Sequence, residues 1–461
     1  MYRVSNYTIS IPLTEDKDRF MLVHGYSGAF DIVNESIHQA LRSSATEEEL
    51  LREITAGDRQ VLEQRGYLTT KTQEEELQTL GKISEVLHRA SSKVISVTLI
   101  PTYNCNFRCE YCFEKKLFDK GKDYLKRSMD AETLTAVFGQ IDKYREEGYQ
   151  IGQVTLFGGE PLLRTSYSVV KQIVDLCKER EITLFAVTNG HDLKHYQDLL
   201  TKDGINSIQI TLDGEEATHD SRRYLAGGQP TFARIVENIT MALEQGVHVA
   251  VRSNVNKRNM AQLEGLMKLY QDKGWTDYPN FSYYFKSTHK CYEEPAEAIT
   301  DVELMEKLNS IYGGVEGFSF NSIYSNLTRT LGSMFKSEGY APLRAGYCGA
   351  TTGMFTVDPY GDIYPCWDVL GDREESIGVV NLEQACFDLN ERSAFWRGRT
   401  ADKIEECATC KYALFCGGGC GAHANIANKD HYTAYCENFK LIFDEVVAGL
   451  YSKILKEPAQ V

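Results

Sequence analysis

The sequence predicts an α/β protein in which a parallel sheet or partial (β/α) barrel lies between a small N-terminal module and a cysteine-rich C-terminal region. Three observations carry that expectation. From Val94 onward, six short apolar runs alternate with stretches of helical period, the pattern of strands joined by crossovers. None of the thirteen cysteines falls in the first 104 residues, and the first 90 of these read as a cysteine-free module of their own. Seven cysteines, with Cys386 standing apart from them, crowd between 348 and 436 among short strands and many glycines, a composition that folds stably when metal or clusters staple it.

Taken in order, residues 1–45 alternate in the strand manner through Tyr2, Val4, Tyr7 and Ile9, then through RFMLVH and AFDIV with GYSG as the turn between them. A helix follows near Glu35–Arg42. ATEEELLREI continues the pattern, GDRQVLEQRGYLT reads as a short helix running into a strand or wing, and QEEELQTLGKISEVLHRA is a charged helix leading onward. VISVTLI, QVTLFGGEP, ITLFAVTNG, SIQITLDG, VHVAVRSNV and FSYYF are the six central strands. Asp130–Gly148, YSVVKQIVDLCKER, HYQDLLTKDG, FARIVENITMALEQG and MAQLEGLMKLYQDKG are the helical stretches among them. In such folds the chemistry collects at the strands' C-terminal ends, where Cys105, Cys109, Cys112 and the GGEP and TNG turns all fall. Residues 301–345 read as a helical bridge, and NFKLIFDEVVAGLYSKIL as a closing helix.

Charge and composition exclude several functions. Fifty basic against 65 acidic side chains, net −15, make the chain as a whole a poor polyanion binder. No apolar run approaches the roughly 18 to 20 residues that a membrane helix needs. The start, MYRVSNYTISIPLTEDKDRF, has neither the basic nor the apolar region of a secretory signal. A cytoplasmic protein is expected, and in a reducing cytosol clustered cysteines are metal ligands more often than disulfides.

Cys105-Asn-Phe-Arg-Cys109-Glu-Tyr-Cys112 is a CX3CX2C loop directly after a strand. Three thiolates at that spacing suit three corners of a [4Fe–4S] cube, leaving the fourth iron to chelate an amine and a carboxylate. A zinc knuckle is the alternative, and it would want a fourth protein ligand nearby. The loop, with Tyr111 inside CXXXCXYC and Phe113 behind it, resembles the signature of radical S-adenosylmethionine (SAM) enzymes. Gly158-Gly159-Glu160-Pro161, Thr188-Asn189-Gly190, Thr211-Leu212-Asp213-Gly214 and His219-Asp220-Ser221-Arg222-Arg223 follow in that family's order. The resemblance implies a partial (β/α)6 TIM-like barrel over residues 91–300 with a SAM-binding cluster on the three cysteines. It also implies SAM contacts from Gly158, Gly159, Glu160, Asn189, Thr211 and Arg223.

A second constellation runs Cys348-X12-Gly361-X4-Cys366, then Cys407-X2-Cys410-X5-Cys416-X3-Cys420 and, fifteen residues on, Cys436. It resembles the seven-cysteine SPASM domain, which the resemblance places over residues 346–461 together with the C-terminal helix. Carried over, Cys407, Cys410, Cys416 and Cys436 ligate a distal auxiliary [4Fe–4S] cluster, and Cys348, Cys366 and Cys420 a proximal one, three clusters in all. A pair of zinc ribbons is the alternative. The segment YAPLRAGY before Cys348 holds no cysteine, so the proximal cluster is expected to keep an open iron unless Cys291 reaches it. Cys177 and Cys386 are expected to be structural.

LTEDKDRFMLVHGYSGAFDIVNESIHQAL resembles the winged-helix-like element with which maturases of ribosomally made peptides recognise a leader, which makes residues 1–90 a peptide-recognition domain. Such modules take the peptide as an added strand. With 10 basic and 15 acidic residues, this module is a poor DNA reader. The resemblance therefore implies a radical SAM enzyme that crosslinks a precursor peptide, with a cysteine thioether as the expected bond and a flavodoxin- or ferredoxin-type electron donor. Anaerobic sulfatase maturases are the rival within the family. They carry a basic aspartate directly after the second SPASM cysteine, where this chain has Trp367, with Asp368 one position later as the candidate base. Carbon–carbon crosslinking, epimerisation, a radical SAM enzyme acting on a small molecule, and a non-catalytic Fe–S or zinc peptide-binding protein are the remaining alternatives.

Overall fold

The structure, a computed structural model, describes residues 1–13, 16, 18–43, 46–288, 296–312, 327, 331–332 and 343–456, with side chains to 452. Cys291 lies outside the described residues, as does much of the expected bridge, of which Asp301–Tyr312 is helical. The chain divides into two units. One comprises Met1–Ala90, Met305–Cys348 and Arg399–Val461, and the other Ser91–Leu304 and Gly349–Gly398.

In the first unit, β1 (Arg3–Val4) pairs antiparallel with β5 (Leu68–Thr69), while β2 (Thr8–Pro12), β3 (Arg19–His24) and β4 (Phe30–Asn34) form an antiparallel sheet in that order. Period-two alternation fixes its register, with Ile9 and Ile11 buried while their neighbours are not, and Ile9 opposite Val23. Helices α1 (Glu35–Ser43), α2 (Glu47–Glu53) and α3 (Ala56–Arg65) follow, and α4 (Gln73–Ser91) completes the module. Thr46 and Glu49 cap α2 reciprocally, and Gly66 ends α3 in the left-handed region at φ 95°. Leu22, Leu50, Leu62 and Tyr67 form one core. A second core joins Tyr7 and Leu80 to Ala401, Ile404, Cys407 and Leu414, so the N-terminal module packs on the C-terminal cysteine segment.

In the second unit, β6 (Val94–Leu99), β7 (Gln150–Leu156), β8 (Leu184–Thr188), β9 (Ile205–Thr211), β10 (His248–Val255) and β11 (Phe281–Ser287) are all parallel and lie side by side in chain order. One strand face is apolar, as with Ile208, Ile210, Val249 and Val251. The other carries polar groups such as Gln209, Thr211, Arg252 and Asn254. Helices α5 (Lys115–Phe118), α6 (Lys122–Lys126), α7 (Ala131–Glu146), α8 (Tyr167–Glu179), α9 (Glu216–Arg222), α10 (Phe232–Glu244) and α11 (Leu263–Asp272) fill the connections. Asp130 caps α7 by accepting from the Thr133 amide at 2.9 Å.

Two features depart from the sequence expectation. HYQDLLTKDG is not a helix, because a 3-10 turn covers only Leu193–Tyr196. The chain then folds back so that the Leu199 carbonyl accepts from Thr201 and Ile205, and a Cβ on Gly204 would stand 2.4 Å from that oxygen. The sheet is also longer than six strands. β12 (Met354–Val357) adds parallel to β6, and β13 (Asp362–Tyr364), β14 (Gly378–Asn381) and β15 (Cys386–Leu389) continue it antiparallel to ten strands. No helix of the described residues is long and apolar enough to cross a membrane.

Candidate active site

The loop after β6 is held against the chain that follows α9. The Arg108 amide donates to the Tyr224 carbonyl at 2.9 Å, the Ala226 amide to the Asn106 carbonyl at 2.7 Å, and the Glu110 amide to the Arg222 carbonyl at 3.3 Å. This places Cys105, Cys109 and Cys112 beside the C-terminal ends of β6 and β9. The turn after β7 closes a second side. Gly159 has φ 48°, and a Cβ there would lie 2.5 Å from the Asn104 carbonyl oxygen, so only glycine lets the two backbones approach. The Glu160 amide donates to that same carbonyl at 2.8 Å.

Glu160 is 1% exposed, and burial pushes its carboxyl up to about 7. Its oxygens accept from Thr188 Oγ1 at 2.6 Å, the Asn189 amide at 2.6 Å and the Leu162 amide at 2.9 Å, which clasps the ends of β7 and β8 together. The Asn189 side chain donates to Asn106 Oδ1 at 2.8 Å and accepts from the His191 amide at 3.0 Å. Arg223 Nη1 donates to the Tyr111 hydroxyl at 2.8 Å. Tyr111 donates in turn to the fully buried Asp213, whose other oxygen accepts from the Asn254 amide at 2.7 Å. Gly158, Gly159, Glu160, Asn189 and Arg223 are thus gathered around the cysteine loop. Thr211 closes β9, buried, and takes no side-chain hydrogen bond among the described residues.

Among the buried atoms without a hydrogen-bond partner among the described residues, three lie beside the cysteine loop, Arg222 Nε, Arg223 Nε and Glu114 Oε1, and Arg222 Nε stands 3.9 Å from Asp213 Oδ2. Sequence reasoning passed over Glu114, although a charged residue directly behind Cys112-Phe113 is a signal of a kind. Its Oε2 accepts from the Gly159 amide at 2.8 Å, and burial raises its carboxyl to about 7. An unmet donor and an unmet acceptor in a buried site fit a ligand carrying both a carboxylate and an ammonium group. The sulfurs fit a metal centre. Burial raises all three thiols, Cys105 well above its ordinary value and Cys112 to about 12, while Arg223 opposes the rise at Cys109. Crowded buried thiols of this kind become thiolates when a cation binds them.

The family model for the radical SAM superfamily matches residues 99–270, from the end of β6 into α11. These residues are a radical SAM domain. The chain is an enzyme of the radical SAM type, and such domains bind SAM and a [4Fe–4S] cluster. Among its relatives is the cysteine-type anaerobic sulfatase-maturating enzyme of Clostridium novyi (strain NT), 23% identical over 379 residues, 78% of this chain and 96% of that one. Another is the antilisterial bacteriocin subtilosin biosynthesis protein AlbA of Bacillus subtilis (strain 168), 22% identical over 344 residues, 73% of this chain and 69% of AlbA. Two solved structures share the fold. They are native anSMEcpe with bound AdoMet (19% identity, TM-score 0.60, 79% and 100% covered) and Streptococcus suis SuiB bound to precursor peptide SuiA (15%, 0.52, 94% and 98%).

Of the remaining cysteines, Cys348, Cys407, Cys410, Cys416, Cys420 and Cys436 fall in the first unit and Cys366 in the second. Burial, and after it the charge of neighbouring cysteines, lifts Cys407 to about 12 and Cys416 to about 11. Gly417, Gly418 and Gly419 all have positive φ, and the amides of Gly418 and Gly419 hydrogen-bond the Cys416 sulfur. Behind them, Arg399, 1% exposed, donates to the carbonyls of Gly418, Gly419, His431 and Thr433. No sequence signal marked Arg399. Cys366 accepts from the Asp368 amide at 3.5 Å, and Trp367 stacks on Phe157 with centroids 5.2 Å apart. Cys177 is buried in α8, and Cys386 lies in β15.

Proposed function

We propose that the enzyme installs a crosslink in a ribosomally made precursor peptide and that the bond is a cysteine thioether. The observation that carries this is the seven-cysteine pattern Cys348–Cys436 behind a radical SAM domain, on a chain with a separate N-terminal strand-and-helix module. Bound together, SAM and the cluster on Cys105, Cys109 and Cys112 supply a 5′-deoxyadenosyl radical that removes hydrogen from an unactivated carbon. The chain's part is positional. Arg223 and Glu114 hold the amino-acid end of SAM through their unmet atoms, the Gly158-Gly159 backbone lines the same end, and Glu160 and Asn189 keep the turns in place. Thr211 contributes at the end of β9.

On this reading Cys407, Cys410, Cys416 and Cys436 hold the distal auxiliary cluster. Cys348, Cys366 and Cys420 hold the proximal one and leave a position for a substrate thiolate. Residues 1–90 act as the winged-helix-like leader-recognition domain, followed by the barrel to residue 300, the bridge to 345 and the SPASM domain to 461. β4 is a sheet edge with Ile32 exposed, a site suited to an added peptide strand. AlbA is named for subtilosin biosynthesis and SuiB is seen with a precursor peptide, which favours a peptide substrate. Trp367 in place of an aspartate weighs against oxidation of a sulfatase-type cysteine or serine. Asp368, half-buried beside Cys366, is the candidate base.

The test is anaerobic incubation with SAM, a reductant and a cysteine-containing precursor peptide, read by mass spectrometry. The expected product has lost two hydrogens, resists thiol alkylation and forms only when the leader is attached. Modification of leaderless peptide at an equal rate, or a product whose cysteine still alkylates, would turn the reading toward another bond or substrate.

A further inference from the structure

In a chain of net charge −15, residues 115–127 (KKLFDKGKDYLKR) carry six basic side chains against Asp119 and Asp123, net +4, and no other thirteen-residue stretch reaches that value. The run begins three residues behind Cys112. Lys115, Lys116, Lys120, Lys122, Lys126 and Arg127 are all exposed, while Leu117 and Leu125 are buried and pin α5 and α6 beneath them. The patch is fixed to the cysteine loop itself. Lys115 Nζ donates to the carbonyl of Glu110, between Cys109 and Cys112, and Arg108 lies 4.8 Å over the Phe118 ring.

Aromatic rings stack under the same patch. Tyr103, two residues before Cys105, stacks on Tyr124 at 5.5 Å, and Tyr124 on Tyr360 at 4.7 Å. Lys120 sits over Tyr124 and Arg127 over Tyr360, which reaches the surface at 37% exposure. The basic surface therefore overlies both the cysteine loop and a packed path of rings leading to it.

We propose that this surface docks an acidic one-electron carrier protein of the flavodoxin kind over the Cys105–Cys112 loop. The inference rests on the radical SAM identification and on the donor class expected from it, and it adds the place and the chemistry of contact. Complementary charge speeds encounter and orients it without building a tight complex, which suits a partner that must leave after delivering an electron. One electron leaves the reduced flavin and enters the cluster, and no bond forms between the proteins. The remaining acidic surface turns the carrier away elsewhere.

The test combines Lys116→Glu, Lys122→Glu and Lys126→Glu in the holoenzyme and titrates it with oxidised flavodoxin at low and high salt. The expected result is a Kd about tenfold weaker or more at low salt, with the difference vanishing at high salt. Flavodoxin-driven formation of 5′-deoxyadenosine should fall in step while dithionite-driven formation stays unchanged, and the matching Lys→Arg triple should behave as the parent. An unchanged flavodoxin Kd overturns the proposal, as does weaker binding of an acidic leader peptide with flavodoxin binding intact. Absence of dithionite-driven 5′-deoxyadenosine in the parent would instead mean that the radical SAM reading itself fails.

Discussion

The loop of Cys105, Cys109 and Cys112 and the loop of Cys407, Cys410, Cys416 and Cys420 both crowd sulfurs in a buried setting, and they do so by different means. The first is held by side chains. Tyr111, Asp213 and Arg223 form a charged, hydrogen-bonded network beneath it, and Arg223 Nε and Glu114 Oε1 are left unmet at its edge. The second is held by backbone. Three left-handed glycines bend the chain so that the amides of Gly418 and Gly419 face Cys416, and Arg399 gathers carbonyls from behind. Unmet side-chain atoms mark a site suited to a ligand, whereas the backbone cradle around Cys416 suits a sulfur held in a fixed place. The contrast supports the proposed division, with SAM chemistry at the first loop and electron or structural duty at the second.

Substitution is the way to break this contrast. The largest effect is expected from Cys109→Ser, which should abolish 5′-deoxyadenosine formation and remove roughly four irons per chain. Cys416→Ala should also remove roughly four irons yet leave SAM cleavage running, with loss confined to the modified peptide. If both variants lose SAM cleavage equally, the two loops are not divided as described. Arg223→Gln should come next, raising the KM for SAM by about 10- to 100-fold through loss of a charged hydrogen bond, with iron content unchanged. Arg399→Gln should leave that KM alone and instead cost about 3 kcal/mol of stability, because several buried carbonyls lose their donor, seen as a lower Tm. The smallest effect is Tyr7→Phe. It removes the 2.6 Å bond to the Ala408 carbonyl and should lower stability by about 1 kcal/mol without altering SAM binding.

The parts of this account that were legible in the sequence share a property: their signal is local. Six strands announced themselves by apolar runs, and the radical SAM domain by the CX3CX2C spacing of Cys105, Cys109 and Cys112. What stayed hidden depended on neighbours distant in the chain. MFTV is too short to declare its partner, and nothing in it says that Met354–Val357 will extend the sheet beside β6. HYQDLLTKDG has helical residues, but the return of the chain to Leu199 overrides that propensity. Glu114 and Arg399 are single charged residues of a kind that usually sits in water. Only the folded chain shows that one is sealed behind Cys112 and the other locked onto carbonyls of 418–433.

The most direct measurement is Mössbauer spectroscopy of the 57Fe-reconstituted enzyme with and without SAM, set beside the variant in which Cys105, Cys109 and Cys112 are all alanine. SAM should perturb a single iron site of the parent and none of the variant, whose remaining iron belongs to the two auxiliary clusters and gives the same spectrum with and without SAM. A spectrum indifferent to SAM in the parent, or one that responds to SAM in the variant, would contradict the account.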